Sequence, residues 1–170
     1  SPTSSGKSFI IYLLTRYYNA RTLIIVPTTS LVSQLASDFA DYGFESDKFV
    51  HRIYAGQDKQ TNKPVTISTW QSIYKLPKEY FEQFDVVIGD EAHLFKAKSL
   101  TSIMSKLGGC QYRFGFTGTL DGTETNKLVL EGLFGLVRKV TTTSELMEQK
   151  YISNFLIKAI ILKYPESIRE

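Results

Sequence analysis

The chain of 170 residues has a single cysteine, Cys110, which excludes an internal disulfide framework. One thiol is typical of a protein in a reducing compartment, and we interpret Cys110 as a small, buried apolar residue. Histidine is also scarce: His51 lies in a predicted strand, where a structural role is expected. No second histidine or cysteine stands at a metal-ligand spacing from His93. A zinc site is therefore not predicted.

Long hydrophobic runs are absent as well. No apolar stretch approaches the roughly 20 residues that a membrane-spanning helix requires, and no charged-then-apolar signal peptide opens the chain. The net charge of +3 permits contact with a polyanion but does not demand it. A hydrophobic content of 42% is enough for a packed core, which excludes a wholly disordered chain.

What the chain does contain is an alternation of short apolar runs with helix-like patterns. Strands are predicted at 22–26, 49–54, 65–68, 84–89, 111–116 and 137–140, with a last apolar run at 157–162. Helices are predicted at 9–18, from an N-cap at Ser30 to Gly43, at 70–74, 100–107 and 125–133, and after an N-cap at Ser144. Strands that are apolar on both faces and alternate with helices predict an α/β fold, with a parallel sheet covered by helices on both sides.

The opening segment is the first candidate for chemistry. Its end fits the phosphate-loop pattern G-x-x-x-x-G-K-S/T, although Ser1 stands where the first glycine belongs. Backbone N–H groups at a helix start stabilise phosphates, Lys7 would reach the β- and γ-phosphates, and Ser8 would give its oxygen to Mg²⁺. The alternative is a serine-rich turn that caps an ordinary helix. The predicted nucleotide-binding residues are Thr3, Ser4, Ser5, Gly6, Lys7 and Ser8.

A second candidate is the tetrapeptide Asp90-Glu91-Ala92-His93, which follows the apolar run 84–89. Carboxylates at the carboxyl end of a buried strand lie in the crevice where ligands bind. Asp90 would hold Mg²⁺, and Glu91 would orient and deprotonate the attacking water. Two acids at an ordinary strand-to-loop junction are the alternative. After a phosphate-loop candidate, the pair favours nucleoside-triphosphate hydrolysis, with Glu91, Asp90 and Lys7 as catalytic residues.

Three hydroxyl-rich loops also follow predicted strands, at 27–30, 68–71 and 117–119. In a parallel sheet all three would emerge at the edge that carries the phosphate loop and Asp90. Hydroxyl and N–H groups at helix starts are good ligands for a nucleic-acid backbone, but serine and threonine also cap helices. Nearby lysines could add sequence-independent attraction to phosphates, or form ordinary solvated surface. These are Lys75, Lys78, Lys96 and Lys98.

The order of these segments resembles helicase superfamily 2 over nearly the whole chain. The matching stretches are 2–8 (motif I), 26–34 (motif Ia), 67–73 (motif Ib), 90–93 (motif II, the DEAH box) and 116–120 (motif III). Longer stretches, such as TWQSIYKLPKEYF and VTTTSELM, are similar to a phage recombination helicase. Motif I of such enzymes often lacks the first glycine, so Ser1 fits the resemblance.

The resemblance implies a RecA-like P-loop NTPase domain at 1–150 and a segment at 151–170 that leads toward a second RecA-like domain. A strand normally precedes motif I, so we expect the first strand upstream of Ser1. The implied activity is an ATP- and Mg²⁺-dependent motor that remodels branched or single-stranded DNA, or RNA–DNA hybrids, in recombination, repair and replication. A cytoplasmic location is implied, in the host cell if the protein is phage-encoded.

The resemblance also implies residue roles outside the phosphate loop and the acid pair. The residues that would couple nucleotide state to nucleic-acid binding are His93, Thr117 and Thr119. The residues that would contact the nucleic-acid backbone are Pro27, Thr28, Thr29, Thr69, Trp70 and Gln71.

The pattern departs from the superfamily in extent, because motifs IV, V and VI, which include the arginine finger, are not found in these residues. Such a finger contributes roughly 10³ to 10⁵ in rate, so we expect negligible hydrolysis by this chain alone. Three other interpretations stay open. They are the translocating subunit of a restriction or repair enzyme, a P-loop kinase or nucleotide switch, and a non-catalytic scaffold, although intact Lys7, Asp90 and Glu91 argue against a scaffold.

Overall fold

A computed structural model describes residues 6–54, 58–95, 97–118, 124–140 and 142–151. The strands are β1 (Thr22–Val26), β2 (Val50–Ile53), β3 (Val65–Thr69), β4 (Val86–Gly89) and β5 (Tyr112–Gly115). The helices are α1 (Lys7–Tyr18), α2 (Thr29–Asp41), α3 (Ser46–Phe49), α4 (Trp70–Ile73), α5 (Lys78–Phe81), α6 (Ala97–Lys106), α7 (Glu124–Phe134) and α8 (Thr143–Glu148). Across these ranges, no helix combines the length and apolar character needed to cross a membrane.

The strands form one parallel sheet in the order β2-β3-β1-β4-β5. Strand β1 lies at the centre, hydrogen-bonded to β3 on one side and β4 on the other, and every residue of β1 is buried. Its run TLIIV is apolar on both faces because helices cover both sides of the sheet. The predicted α/β fold with a parallel sheet is confirmed.

The two faces of the sheet have separate cores. On one face, α1 and α2 bury Ile11, Leu35 and Phe39 against alternate residues of the strands, including Ile24 and Ile88. On the other face, α4 to α7 pack their apolar residues on the residues that point the opposite way. Because both α1 and the loop after β4 are anchored by this packing, the start of α1 is held near the centre of the sheet.

The strand register places four loops at one edge of the sheet. Val26 is paired with Thr69, and Gly89 is paired with both Ile25 and Gly115, so β1, β3, β4 and β5 end together. The loops that follow these strands therefore emerge side by side, as the sequence predicted for a parallel sheet. This edge is the crevice in which ligands of open α/β sheets bind.

Several local predictions are corrected. Residues 137–140 do not form a strand. Their side chains, including that of Val140, are exposed, and β-branched residues alone do not order a segment. Helix α2 is capped by Thr28 rather than Ser30, because the Thr28 hydroxyl reaches the N–H of Leu31 at 3.4 Å. Thr142, not Ser144, caps α8 through a capping box. The run 157–162 lies outside the described residues.

Candidate nucleotide-binding site

The start of α1 reaches across the carboxyl edge of the sheet to the end of β4. Gly6 is the N-cap of α1 with φ +76°, a left-handed conformation that glycine adopts without steric cost. Lys7 follows as the first helical residue, and its ammonium group forms an ion pair with the carboxylate of Glu91. The two predicted halves of the site, the phosphate-loop lysine and the acid pair, are thus in direct contact.

The Glu91 side chain also contacts the loop after β5. The Gly118 N–H donates to Glu91 Oε2 at 3.2 Å. Two backbone hydrogen bonds hold this loop against the loop after β4: Ala92 N–H donates to the Phe116 carbonyl at 2.9 Å, and Phe116 N–H donates to the Gly89 carbonyl at 2.7 Å. Glu91 is therefore held by a cation on one side and a backbone donor on the other.

The two neighbouring carboxyls have opposite pKa shifts. Burial, followed by the charge of Glu91, raises the pKa of Asp90, and nearby Lys7 opposes this only in part. Burial is also the largest single influence on Glu91 and acts to raise its pKa. The hydrogen bonds from Lys7 and Gly118, together with the charges of Lys7 and His93, outweigh burial and hold the pKa of Glu91 below its usual value. The anionic form of Glu91 is therefore favoured while Lys7 stays beside it.

Two oxygen-bearing side chains are candidates for holding a magnesium ion. The Asp90 Oδ1 atom accepts the Glu91 N–H at 3.0 Å, and the Asp90 N–H donates to the Ile25 carbonyl at 2.9 Å. Ser8 lies one residue after Lys7, in the first turn of α1. Carboxylate and hydroxyl oxygens suit Mg²⁺, and a cation would stabilise the anionic form of the half-buried Asp90, which its surroundings disfavour. The residues present therefore fit Mg²⁺.

His93 links the acid pair to the loop after β5. Its Nδ1 lies 2.6 Å from the Thr117 hydroxyl and 3.5 Å from Glu91 Oε2. His93 stands in the 3-10 turn Ala92–Leu94, directly after the acid pair. Two of the three predicted coupling residues are thus hydrogen-bonded to each other beside Glu91.

The predicted nucleic-acid residues occupy two loops that are joined by one hydrogen bond. The Gln71 amide donates to the Pro27 carbonyl at 3.3 Å, which connects the loop after β1 with the start of α4. The exposed members are Thr28, Thr29 and Gln71. Pro27 and Thr69 are buried, so within this structure their side chains support the loops and do not face solvent.

Three of the remaining surface candidates have structural partners. Trp70 packs against the core and stacks edge-on with Tyr74. Lys78 pairs with Glu82, at the end of the same short helix, at 3.7 Å, and Lys75 lies over the Tyr74 ring. Thr3, Ser4, Ser5, Thr119 and Lys96 fall outside the described residues, so their predicted roles stay predictions.

Two contacts were not foreseen from the sequence. The Gly118 N–H that binds Glu91 is a backbone group, which no side-chain pattern marks, although Gly118 lies between two threonines that were singled out. The Tyr42 hydroxyl lies 3.0 Å from the Ser8 Oγ atom, and it comes from the far end of α2. Only tertiary packing brings it there.

A groove of about 510 Å³ lies elsewhere, between α2 and α3. Its lining includes the charged residues Glu45, Asp47, Lys48 and Arg52, and none of the residues of the site described above. These four charges pair with one another, Lys48 with Glu45 at 3.7 Å and Arg52 with Asp47 at 3.9 Å. Among the residues that the structure describes, the charged side chains of this groove are therefore paired with each other.

The fold and the paired site define the class of this chain. The family described as "Type III restriction enzyme, res subunit" matches residues 1–122, which is most of the 170 residues. The chain belongs to this family, and its parallel sheet is that of a RecA-like helicase domain.

Two named proteins are similar to this chain over nearly its whole length. The chain is 42% identical to the "ATP-dependent DNA helicase uvsW" of Enterobacteria phage T4, over 97% of this chain and 34% of the relative. A crystal structure of T4 UvsW superposes with a TM-score of 0.75 and 43% identity, covering 85% of this chain and 31% of that one. The "DNA 3'-5' translocase XPB2" of Sulfurisphaera tokodaii is 29% identical, over 94% of this chain and 35% of the relative. The chain thus spans about a third of the length of these curated relatives. The predicted resemblance to superfamily 2, and to a phage helicase in particular, is confirmed.

Proposed function

We propose that this chain is the ATP-hydrolysing motor domain of a DNA helicase. The observation that carries the proposal is the convergence on Glu91 of three separate segments: Lys7 from α1, His93 from the turn after β4, and Gly118 from the loop after β5. A serine-rich turn that merely caps a helix would have no reason to reach an acid 84 residues away. A triphosphate-hydrolysing site requires the lysine and the acid to lie close together.

The roles follow from the chemistry of phosphoryl transfer, which depends on positioning and charge neutralisation. The Lys7 ammonium would leave Glu91 and bind the β- and γ-phosphates of ATP. Glu91, released from its cation, would accept a hydrogen bond from the attacking water and take its proton. Ser8 and Asp90 would hold Mg²⁺, which neutralises charge on the phosphate oxygens when bound. Gly6 and the N–H groups at the start of α1 would add donors to the phosphates.

The His93–Thr117 contact supports a motor over a small-molecule kinase. A change at Glu91 on ATP binding would reach Thr117 through His93, because Glu91 Oε2 and the Thr117 hydroxyl both lie within 3.5 Å of the His93 Nδ1 atom. A second domain or a nucleic acid that rests on the loop after β5 would therefore respond to the nucleotide. A kinase would need a pocket for its second substrate, and this contact would have no function in it.

The proposed nucleic-acid partner is DNA, held by its backbone at the exposed Thr28, Thr29 and Gln71. Two named relatives support this choice, since one is called a DNA helicase and the other a DNA translocase. Branched or single-stranded DNA is the proposed substrate, and an RNA–DNA hybrid is a further one. A cytoplasmic setting fits this substrate.

The test uses the full-length protein that contains this chain. ATP turnover is measured without nucleic acid, with forked DNA, with linear duplex and with an RNA–DNA hybrid, and strand separation is followed on the same substrates. We expect turnover to rise with DNA and forked strands to separate. An ATP turnover rate that none of the nucleic acids changes would contradict the proposal and favour a kinase or nucleotide switch.

A second candidate is a translocase that moves along duplex DNA without separating its strands. The family description and the similarity to a DNA translocase favour it. Displacement of a third strand from a triplex by the full-length protein, without separation of forked strands, would support it. Separation of the fork would support the helicase.

Activity is expected to require the rest of the protein. An arginine finger from a second RecA-like domain would contribute roughly 10³ to 10⁵ in rate. We therefore expect the purified 170-residue chain to bind ATP weakly and to hydrolyse it negligibly. Robust, DNA-stimulated turnover by this chain alone would contradict the need for a second domain.

A further inference from the structure

Tyr42 connects the end of α2 to the first turn of α1. Its hydroxyl oxygen lies 3.0 Å from the Ser8 Oγ atom, across 34 residues of sequence. Both residues are half-buried, so water competes with this contact less than it would on an open surface. Ser8 is the proposed Mg²⁺ ligand, and the contact involves the same oxygen that would bind the ion.

Two aromatic side chains of α1 hold the Tyr42 ring. It packs edge-on against Phe9, with centroids 5.0 Å apart, and in a tilted arrangement against Tyr12 at 5.4 Å. The backbone is fixed as well: the Tyr42 N–H donates to the Asp38 carbonyl at 3.0 Å, and Gly43 follows with φ +85° to end the helix. A hydroxyl carried on such a ring has a defined position, so it can direct a neighbouring group.

The chemistry of a serine ligand requires a partner for its proton. A hydroxyl has one proton and two lone pairs, and it can bind a cation only through a lone pair. The proton must then point away from the cation, toward an acceptor. A hydroxyl that rotates freely loses orientational freedom when the metal binds, whereas one that already donates to a fixed acceptor does not.

We propose that Tyr42 is a positioning residue for the metal site: its hydroxyl accepts the Ser8 proton and so presents a Ser8 lone pair to Mg²⁺. This inference rests on the proposed function, in which Ser8 holds the Mg²⁺ that accompanies ATP. Tyr42 itself would not bind the ion. It acts through Ser8.

The test is calorimetric titration of the full-length protein with ATP, once with excess Mg²⁺ and once with EDTA. The quantity compared is the Mg²⁺ enhancement, the ratio of the two affinities, for wild type and three variants. Tyr42→Phe removes only the hydroxyl and keeps the ring. Ser8→Ala removes the proposed ligand. Tyr12→Phe removes a hydroxyl from the same aromatic cluster and is the matched control.

We expect Tyr42→Phe to reduce the Mg²⁺ enhancement by about three- to tenfold, the usual effect of losing one hydrogen bond, while the affinity in EDTA stays the same. Tyr12→Phe should keep the wild-type Mg²⁺ enhancement, and Ser8→Ala should lose more of this enhancement than Tyr42→Phe. Electron paramagnetic resonance of Mn²⁺ in place of Mg²⁺ gives a second measurement that does not depend on turnover. In Tyr42→Phe the bound Mn²⁺ should still be detected, with an affinity reduced by the same factor.

The outcomes separate the inference from the proposed function. If Ser8→Ala keeps the full enhancement, the assignment of Ser8 to Mg²⁺ fails, and the inference fails with it. If Ser8→Ala loses the enhancement but Tyr42→Phe keeps it, the inference alone is overturned. Equal losses in Mg²⁺ and in EDTA would reduce Tyr42 to a packing residue. A stronger enhancement in Tyr42→Phe would show that the tyrosine competes with the ion, which also overturns the inference.

Discussion

The ammonium of Lys7 is ion-paired with the carboxylate of Glu91, and the side chains of the two residues are only 10% and 21% exposed. This shielding makes the pair stronger than a surface ion pair, which contributes little. In the proposed function, Lys7 would leave Glu91 to bind the phosphates of ATP, and Glu91 would then be free to bind the attacking water. In this structure the two charges neutralise each other.

Replacing Lys7 tests the phosphate half of the site. Lys7→Ala removes a charge-assisted contact of about 1.5–3 kcal/mol, so we expect ATP affinity in the full-length protein to fall by about 10- to 150-fold. Circular dichroism should show the fold retained. Calorimetric titration measures the affinity, with exposed Lys98→Ala on α6 as the control. An unchanged affinity in Lys7→Ala would refute the assignment.

The hydrogen bond between His93 and Thr117 is expected to carry coupling. Thr117→Val keeps the size of the side chain and removes the hydroxyl that lies 2.6 Å from His93. We expect the ratio of DNA-stimulated to basal ATP turnover to fall by about three- to tenfold, the effect of one lost hydrogen bond. Thr101→Val, an exposed site on α6, is the control. A ratio equal to that of wild type would show that this contact does not transmit the nucleotide state.

Packing under the site can be tested at two glycines. A Cβ atom added at Gly115 would lie 3.0 Å from ring carbons of Phe134, so Gly115→Ala should destabilise the fold by about 1–3 kcal/mol. A Cβ atom at Gly132, within α7, meets nothing within 4 Å among the described residues. Gly132→Ala should therefore stabilise by up to about 1 kcal/mol. Urea unfolding measures both, and equal effects of the same sign would contradict the packing described.

Tyr80 gives a pH-dependent prediction. Burial raises its pKa to about 12, against a small opposing effect of the Arg21 charge. The unfolded chain ionises this tyrosine near its usual pKa of 10, while the folded chain keeps it neutral. Stability from the neutral phenol is therefore present below pH 10 and is lost between pH 10 and 12, by about 1–2 kcal/mol after allowance for solvent screening.

The matched variant is Tyr80→Phe, which has no phenol to ionise. The Tyr80 hydroxyl is buried and has no hydrogen-bond partner among the residues that the structure describes, so its removal should cost little at pH 7. We expect the free energy of unfolding of wild type to fall more steeply than that of the variant between pH 10 and 12. Parallel curves would show that the phenol is not shielded as described.

The parts that the sequence predicted are those with a local cause. The run TLIIV must be covered on both faces, which makes β1 a central strand, and a carboxylate after a buried strand must lie at the ligand-binding edge. From these two facts and the motif order, the approach of Lys7 to Glu91 could be predicted before any contact was known. The parallel sheet follows from the same apolar pattern.

The parts that escaped prediction depend on tertiary packing. Nothing near Tyr42 in the sequence marks it as a partner of Ser8, because the contact exists only where α2 packs on α1. The Gly118 donor is a backbone group, which is invisible to a residue pattern. The segment 137–140 has the residues of a strand, but its side chains are exposed, and propensity without burial did not make it one.

The most direct test of the central claim is the ATP turnover number of Glu91→Gln in the full-length protein with saturating ATP and forked DNA. The account predicts a fall of about 10²- to 10⁴-fold, the usual contribution of a general base. ATP affinity should be equal or tighter, because Lys7 no longer has an anion to leave. Exposed Glu82→Gln should match wild type. DNA-stimulated turnover that survives in Glu91→Gln would contradict the account.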